Sequence, residues 1–248
     1  MNAIIIAAGS GERIGDDVKS TPKALVNING KPIIEYQIEV LKKNGINDII
    51  VIRGKYGDKF KIKNINYIND NNYEEHDILG SLMEAKQFLE NDVIVLYSDI
   101  IFENKIIQQM LETKADISIA IDTEWEENYV GRTEHPKSEA ENVKIDENQK
   151  ILQIKKNIQN GHHQICEFLG IMKFTKHGGK IFVEKYDEIL SRNKEKFHEA
   201  PSVLKGYLTD MLQELIDCEI KIEPVFISGK WCEVDTKQDL DRATKKFS

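Results

Sequence analysis

Short apolar stretches alternate with amphipathic stretches along the first half of the chain. Residues 3–8 form an apolar run rich in isoleucine that ends at glycine, which is typical of a buried strand, and residues 32–44 carry apolar side chains at helical spacing. Further strands are predicted at 48–52, 65–68, 93–97 and 117–121, and further helices at 78–89 and 103–113. Because buried parallel strands need helices on both faces, the pattern predicts an α/β fold, a Rossmann-like three-layer sandwich with a mostly parallel central sheet.

The second half of the chain has a different pattern. Residues 122–142 are polar and rich in Glu, Asn and Thr, and two interpretations stay open: a flap over an active site, or a solvated surface loop. Short β-like pieces are predicted at 143–154 and 165–174, helices at 178–192, 207–217 and from 236, and a strand at 219–227. Neither an internal repeat nor a low-complexity linker interrupts the chain, so we predict a single domain.

Composition excludes several classes of protein. The 248 residues carry a formal net charge of −8, which argues against nucleic acid or an anionic membrane as the partner. Three cysteines, at positions 166, 218 and 232, are far apart and form no Cys-x-x-Cys pair, so neither a disulfide framework nor a zinc site is indicated. No signal peptide or long apolar span is recognisable, and a cytoplasmic location is expected.

The turn after the first strand, Ala8-Gly9-Ser10-Gly11, is a candidate phosphate-binding loop. Glycine lets the backbone come close to a ligand, and consecutive N–H groups then converge on one anion. Arg13 and Lys23 place two cations near the same point. The segment matches neither the Walker loop nor the Gly-x-Gly-x-x-Gly fingerprint, and taken alone it is compatible with an ordinary strand–turn–helix.

A longer set of residues carries a family resemblance: Ala7-Ala8-Gly9-x-Gly11-x-Arg13, then Pro22-Lys23-x-Leu25, then Gly30-Lys31-Pro32-Ile33-Ile34-Glu35. This order resembles the signature of the nucleotidyltransferases that activate sugar phosphates and phospho-alcohols with a nucleoside triphosphate. The resemblance implies a single nucleotidyltransferase domain, with a nucleotide-binding core at 1–121 and an acceptor-binding part at 122–248. It also implies catalytic roles for Lys23, at the α-phosphoryl group, and for Arg13, at the leaving pyrophosphate.

Ser98 and Asp99 follow the predicted strand 93–97, at the sheet edge where open α/β sheets bind ligands. A carboxylate there suits Mg²⁺ bound between phosphate oxygens, although an aspartate at this point also suits a helix N-cap. The resemblance implies that Asp99 binds the metal.

The segment from Gly229 to Leu240 is similar to the closing motif of the same family, in which Asp235 matches a second metal ligand. Glu233 shares a face with Asp235 on an extended strand, so it is a candidate to support the metal or the acceptor. Thr236 and Asp239 have the spacing of a capping box, which indicates a structural role for Asp239.

Residues 73–82 are similar to the segment Tyr-x-x-Thr-Asn-x-x-Ser-Leu of phosphocholine and phosphonate cytidylyltransferases, which lies against the nucleotide. His76 and Asp77 stand where that pattern has Thr-Asn, whereas Ser81 is retained. Asp77, Ser81 and Ser98 are therefore predicted to line the nucleotide site, and CTP is the implied nucleotide. Asp77 is equally compatible with an N-cap of the helix from 78.

The acceptor is expected to contact the second half of the chain. Glu167 and Asp210 lie in segments that resemble those of the same cytidylyltransferases, and each carboxylate is a candidate partner for an amine. Lys155 is a candidate for the acceptor's phosphate. Two interpretations without a binding role also stay open: Asp210 suits a helix start, and the Lys155–Lys156 pair suits a solvated surface.

The residues themselves predict phosphate and metal binding, and the resemblance implies a Mg²⁺-dependent cytidylyltransferase that joins CMP from CTP to a small phosphorylated or phosphonate acceptor and releases pyrophosphate. Phosphocholine, 2-aminoethylphosphonate and phosphoglutamine are the implied acceptors, for the decoration of surface polysaccharide or lipid. The alternatives are a sugar-1-phosphate uridylyl- or thymidylyltransferase, a non-catalytic nucleotide-binding relative, and a glycosyltransferase of similar architecture. No nucleic acid or membrane partner is expected, and a homodimer is left open.

Overall fold

A computed structural model describes residues 1–9, 14–15, 20–159, 161–192 and 196–248. The strands of these ranges are β1 (Asn2–Ala7), β2 (Asn27–Ile28), β3 (Lys31–Pro32), β4 (Asp48–Arg53), β5 (Asn66–Asn69), β6 (Val93–Tyr97), β7 (Ile100–Phe102), β8 (Ile117–Asp122), β9 (Glu141–Ile145), β10 (Ile151–Lys156), β11 (Gln164–Phe174), β12 (Glu223–Phe226) and β13 (Trp231–Glu233). The helices are α1 (Ile33–Lys43), α2 (Ile78–Met83), α3 (Asn104–Glu112), α4 (Lys176–Arg192), α5 (Leu208–Asp217) and α6 (Lys237–Lys246).

A nine-stranded sheet has the order β10-β9-β11-β6-β1-β4-β5, and β8 joins β11 to β12. Strands β5, β4, β1 and β6 are parallel neighbours. Strand β11 is antiparallel to β6, β8 and β9, and β10 is antiparallel to β9, so β11 and β10 alone run against the other strands of this sheet. The predicted α/β fold with a mostly parallel central sheet is confirmed.

The alternation of side chains along β1 divides the core into two layers. Ile4 and Ile6 pack with α2, α4 and α5 on one face, whereas Ala3, Ile5 and Ala7 pack with α1 and α3 on the other. All five side chains are buried. Helices therefore cover both faces of the sheet, and the apolar run at the start of the chain is explained by burial on both sides.

The polar segment 122–142 is ordered against the end of the chain. It contains short 3₁₀ turns at Trp125–Tyr129 and Lys137–Glu139, and Trp125, Tyr129 and Ala140 form a small buried cluster. Arg242 of α6 donates to the backbone carbonyl of Val130 at 3.0 Å. This packing joins the segment to α6, although its composition resembles that of a solvated loop.

A small antiparallel pair, β7 with β13, completes the framework beside the main sheet. Glu233 stands opposite Ile100 in this pair, and the backbone N–H of Val234 donates to the carbonyl of Asp99 at 2.8 Å. The closing segment is thereby brought to the carboxyl end of β6. Among the helices described, none has the length and apolar character needed to cross a bilayer.

Gly170 should tolerate alanine poorly, because it adopts φ +68° in β11 and an added Cβ would lie 2.2 Å from Cδ2 of Tyr97. We expect Gly170→Ala to lower the free energy of unfolding by about 2–5 kcal/mol, from left-handed backbone strain and overpacking together. Gly131→Ala is the matched control, since its φ is +73° and nothing lies within 4 Å of the built Cβ. Urea unfolding of the two variants should show the smaller loss, about 1–2 kcal/mol, for Gly131→Ala; equal losses would contradict the steric explanation.

Candidate active site

Lys23 lies at the centre of a buried ion cluster beyond the ends of β1 and β6. Its Nζ donates to Oδ2 of Asp99 at 2.9 Å and to Oδ1 of Asp235. Lys23 and Asp235 are almost fully buried. The backbone N–H of Lys23 approaches the carbonyl of Gly9 at 3.5 Å, which ties the lysine to the turn after β1. Three residues that the sequence singled out for chemistry therefore meet at one point.

The charge balance of this cluster keeps Lys23 protonated. Burial by itself would lower the pKa of Lys23, but the charges of Asp99 and Asp235 and their hydrogen bonds raise it overall. Two carboxylates that converge on one ammonium group also offer the oxygen ligands that Mg²⁺ prefers. The donor set of Asp99 and Asp235 therefore suits the metal that the sequence predicts.

Glu233 lies beside this cluster, and the negative charges of the two aspartates act on its carboxyl group. Burial, followed by the charges of Asp235 and Asp99, raises the pKa of Glu233 to about 7, and His135 and Arg132 oppose the shift. Nη2 of Arg132 donates to Oε2 of Glu233 at 3.0 Å. An additional cation close to Glu233 would therefore stabilise its ionised form.

Two residues of the polar segment that were not predicted as site residues, His135 and Arg132, also reach the cluster. Nδ1 of His135 lies 2.9 Å from Oδ2 of Asp235, and Nε of Arg132 donates to Oδ1 of Asp239 at 2.6 Å. One ligand atom each from His135, Glu233 and Asp235 lie within 4.8 Å of one another, close enough to hold a metal ion. Their signal in the sequence is weak, because a histidine and an arginine in a polar loop usually face solvent.

The capping box predicted for α6 is confirmed. The side chain of Thr236 accepts from the N–H of Asp239, and Oδ2 of Asp239 accepts from the N–H of Thr236 at 3.0 Å. Asp239 therefore fixes the start of α6 directly after Asp235, which supports its structural role.

A groove on one side of the cluster contains the predicted nucleotide residues. It is lined by Ile6, Ala8, Gly9, Lys23, Tyr73, His76, Asp77, Ile78, Ser81, Tyr97, Ser98 and Asp99. Ser10, Gly11 and Arg13 were predicted for the same site but lie outside the described residues. The described part of the phosphate loop and the segment 73–82 thus face each other across one groove.

Within this groove, the side chain of Ser81 is hydrogen-bonded to a buried carboxylate, whereas that of Asp77 makes no capping hydrogen bond. The hydroxyl of Ser81 donates to Oδ2 of the buried Asp70 at 2.7 Å, and Nε2 of His76 lies 2.9 Å from Oδ1 of the same carboxylate. Asp77 occupies the N-cap position of α2, but its side chain makes no capping hydrogen bond. The carboxylate of Asp77 is therefore available to a ligand in the groove. The hydroxyl of Ser81 is instead engaged by Asp70, and this contact stabilises the wall of the groove.

An acidic pocket lies on the other side of Asp99. It is lined by Tyr97, Asp99, Ile100, Tyr129, Glu139, Glu141, Glu167, Phe168, Leu169, Trp231 and Glu233. Five of these side chains are carboxylates and four are aromatic, and the pocket has no cationic lining residue in the part of the chain that the structure describes. Two cations contact the lining residues from outside the pocket: Lys156 lies 3.0 Å from Glu139, and Arg132 lies 3.0 Å from Glu233. The lining is that of a site for a cation.

The carboxyl groups of the acidic pocket are strongly perturbed. Burial raises the pKa of Glu141 to about 8, and burial together with the charge of Glu233 raises the pKa of Glu167 well above its usual range. Oε1 of Glu167 accepts from the hydroxyl of Tyr129 at 2.5 Å, whereas the buried Oε2 has no hydrogen-bond partner among the described residues. Burial and mutual repulsion therefore disfavour the ionised form of these carboxyl groups unless a cation binds beside them.

The other two predicted acceptor residues lie elsewhere. Lys155 and Asp210 line a separate cavity between β10 and α5, where Lys155 approaches Glu199 at 4.0 Å. The carboxylate of Asp210 accepts from the N–H groups of Tyr207 and Glu199, at 2.8 and 3.0 Å. Asp210 thus serves as a helix cap, as the alternative interpretation had it, and neither residue belongs to the acidic pocket.

The arrangement of fold and site is that of a nucleotidyltransferase. The family model of the MobA-like NTP transferase domain matches residues 3–233, and the chain belongs to this family.

Two relatives are similar in sequence. The CTP:phosphoglutamine cytidylyltransferase of Campylobacter jejuni is 29% identical over 262 residues, which cover 99% of this chain and 100% of the relative. The choline-phosphate cytidylyltransferase of Streptococcus pneumoniae is 41% identical over 108 residues, which cover 42% of this chain and 47% of the relative.

Solved structures show how widely the fold is used. The CTP:phosphocholine cytidylyltransferase from Streptococcus pneumoniae superimposes with a TM-score of 0.73 at 23% identity, covering 100% of this chain and 99% of that one. A UDP-glucose pyrophosphorylase superimposes with a TM-score of 0.74 at 14% identity, covering 100% and 98%. The likeness at this level of identity concerns the fold alone, since the two enzymes differ in the nucleotides that their names give.

Glu141 should make stability depend on pH. Its folded-state pKa of about 8 exceeds its ordinary value of 4.5, so the fold favours the protonated form, and this stability is lost as the pH rises from about 4.5 to about 8. Glu141→Gln lacks this titration. The free energy of unfolding of the variant, relative to that of the unmodified protein, should therefore rise over this window by up to about 1.4 kcal/mol per pH unit. Above the window the difference between the two proteins should stay constant. Urea unfolding from pH 5 to 9 in divalent-free buffer measures this. The exposed Glu184→Gln is the control, and parallel profiles for both variants would contradict the assignment.

Proposed function

We propose that this enzyme is a Mg²⁺-dependent cytidylyltransferase that transfers CMP from CTP to a small phospho-acceptor bearing a cationic group, with release of pyrophosphate. The observation that carries the proposal is the position of Asp99, which lines both the nucleotide groove and the acidic pocket and accepts a hydrogen bond from Lys23 of the groove. The nucleotide and the acceptor would meet at this residue.

The proposed chemistry needs charge stabilisation more than proton transfer. An anionic oxygen of the acceptor forms a bond to the α-phosphorus of CTP, the bond to the β-phosphate oxygen breaks, and pyrophosphate carries away the electron pair. The nucleophile is already ionised, so no general base is required. Lys23, kept protonated by two carboxylates, would stabilise the charge that builds on the α-phosphoryl oxygens. Asp99 and Asp235 would hold Mg²⁺, which when bound supplies further positive charge for the phosphate oxygens.

The proposal that the nucleoside is cytidine is supported by the names of the relatives and by a carboxylate in the wall of the groove. The full-length relative is named for CTP and phosphoglutamine, and the partial one for choline phosphate. Asp77 presents a carboxylate without a capping bond on the groove wall. A carboxylate accepts hydrogen bonds and so would suit the amino group of cytosine better than the carbonyl of uracil.

The acidic pocket supports an acceptor with a cationic group. Phosphocholine, 2-aminoethylphosphonate and phosphoglutamine each have an anionic phosphorus group and a positively charged nitrogen. Glu167 has a buried oxygen that no described residue contacts by a hydrogen bond, and the surrounding rings of Tyr97 and Tyr129 suit an ammonium group. A neutral sugar would leave these carboxylates uncompensated. Roles in surface polysaccharide or lipid decoration, and a homodimer, stay predictions.

Loss of the central charges should abolish transfer. We expect Lys23→Met and Asp99→Ala each to lower pyrophosphate release from CTP and the active acceptor by about 10²–10³-fold, because each removes stabilisation of the transferring phosphoryl group. The assay compares CTP, UTP, dTTP, ATP and GTP with phosphocholine, 2-aminoethylphosphonate, phosphoglutamine and glucose-1-phosphate. Lys155→Met is the control and should leave the rate within about threefold of the unmodified enzyme. Turnover with UTP or dTTP and glucose-1-phosphate alone would support the sugar-phosphate alternative instead.

Replacing one buried carboxyl group of the acidic pocket should weaken acceptor binding and leave nucleotide binding unchanged. We expect Glu167→Gln to raise the KM for the cationic acceptor about tenfold or more while the KM for CTP changes little, since the amide keeps the shape but cannot ionise to pair with the ammonium group. Steady-state kinetics with each substrate varied in turn measure the split. Glu199→Gln, which changes an acidic residue outside the pocket, is the matched control. An equal rise in both KM values would indicate a general structural defect.

A further inference from the structure

His135 is held at the ion cluster by the last helix. The side-chain oxygen of Gln238 accepts from the backbone N–H groups of Thr133 and Glu134, at 2.8 and 3.2 Å. The amide nitrogen of Gln238 donates to the carbonyl of Gly131 at 3.1 Å. The imidazole of His135 that follows this anchored turn is only 6% exposed. Its position is therefore fixed by α6, which begins directly after Asp235.

The contact between His135 and Asp235 has a defined direction. A carboxylate only accepts hydrogen bonds, so Nδ1 of His135, 2.9 Å from Oδ2 of Asp235, carries the proton and donates it. Lys23 donates to the other oxygen, Oδ1. Nε2 of His135 lies 3.7 Å from Oε2 of Glu233, beyond hydrogen-bond distance. The close contact of the imidazole is thus with the oxygen of Asp235 that does not bind Lys23.

We infer that His135 is a positioning residue for the metal site, an inference that rests on the metal-binding part of the proposed function. By holding Oδ2, it fixes the plane of the Asp235 carboxylate and leaves Oδ1 directed at the space shared with Asp99. Groups that orient metal-binding side chains from behind typically contribute about 10–100-fold to metal affinity or activity. His135 has the geometry for that role.

A direct metal–His135 bond is the competing arrangement. Because His135, Glu233 and Asp235 have ligand atoms within 4.8 Å of one another, a metal bound among these three would bind a nitrogen of the imidazole directly, and at Nδ1 it would replace the hydrogen bond to Asp235. The positioning role instead keeps the proton on Nδ1 and leaves both nitrogens without a metal. A side chain that donates a hydrogen bond from the Nδ1 position can therefore separate the two roles.

The test is Mn²⁺ binding to the full chain without nucleotide, measured from the electron paramagnetic resonance signal of free Mn²⁺. The amide nitrogen of His135→Asn can donate from near the Nδ1 position, whereas that of His135→Gln lies near the Nε2 position. We expect His135→Ala and His135→Gln to weaken Mn²⁺ binding about 10–100-fold, and His135→Asn to stay within about threefold of the unmodified protein. His198→Asn, which changes another imidazole–carboxylate pair at 3.0 Å, should bind normally.

The outcomes separate this role from the others. Normal binding by His135→Ala, better rescue by Gln than by Asn, or ¹⁴N coupling from a directly bound imidazole in the pulsed spectrum of the unmodified protein would each overturn the inference. So would a complete absence of Mn²⁺ binding. The half-saturating Mg²⁺ concentration in pyrophosphate release should rise in His135→Ala, with kcat recovering at high Mg²⁺. Weakened Mn²⁺ binding without any CTP turnover would reject the proposed nucleotide and keep the positioning role.

Discussion

The site depends on the cost of placing like charges together away from water. Asp99 and Asp235 come from distant parts of the chain, and Asp235 is almost fully buried, so their approach is unfavourable unless a cation lies between them. Lys23 supplies that cation, and the two carboxylates raise its pKa. A cluster of this kind stabilises the arrangement of loops before any substrate binds. It also means that a divalent metal would compete with Lys23 for the same oxygens, so the lysine and the metal are linked in their occupancy of the site.

The fold brings these residues together through two separate pieces of backbone. The parallel neighbours β1 and β6 direct Gly9 and Asp99 to one edge of the sheet. The closing segment reaches the same edge through the small β7–β13 pair, in which Glu233 faces Ile100. The start of α6, fixed by the capping box of Asp239, then sets where Asp235 lies. Each element uses local rules, but their meeting point is a property of the whole topology.

The sequence predicts the first half of this framework well, because burial on both faces leaves strong apolar runs such as β1 and β6. Asp99 stands at a predicted strand end, and the family resemblance implies that Asp99 and Asp235 are metal ligands. His135 escaped prediction, because a polar loop has no periodicity and its contacts are made with residues about a hundred positions away. For Asp210 the sequence is compatible with both an acceptor carboxylate and a helix start, and in the structure its carboxylate caps α5. A carboxylate that binds a ligand and one that caps a helix have the same appearance in sequence, and only the position of the neighbouring backbone distinguishes them.

The two cavities beside Asp99 differ in charge, and this difference bears on how an acceptor would be oriented. Lys23 lines the nucleotide groove, whereas the pocket on the other side contains Glu141, Glu167 and Glu233, all with raised pKa values. An ammonium group in the pocket would favour the ionised form of these carboxyl groups, so a molecule with an anionic phosphorus group at one end and an ammonium group at the other would bind with the anion toward Lys23. The reverse orientation would place the anion beside the carboxyl groups and the ammonium group beside Lys23, which is unfavourable at both ends. A sugar phosphate has only the anionic end, so it would gain from Lys23 but would have to be oriented by hydrogen bonds to carboxyl groups that burial keeps partly protonated.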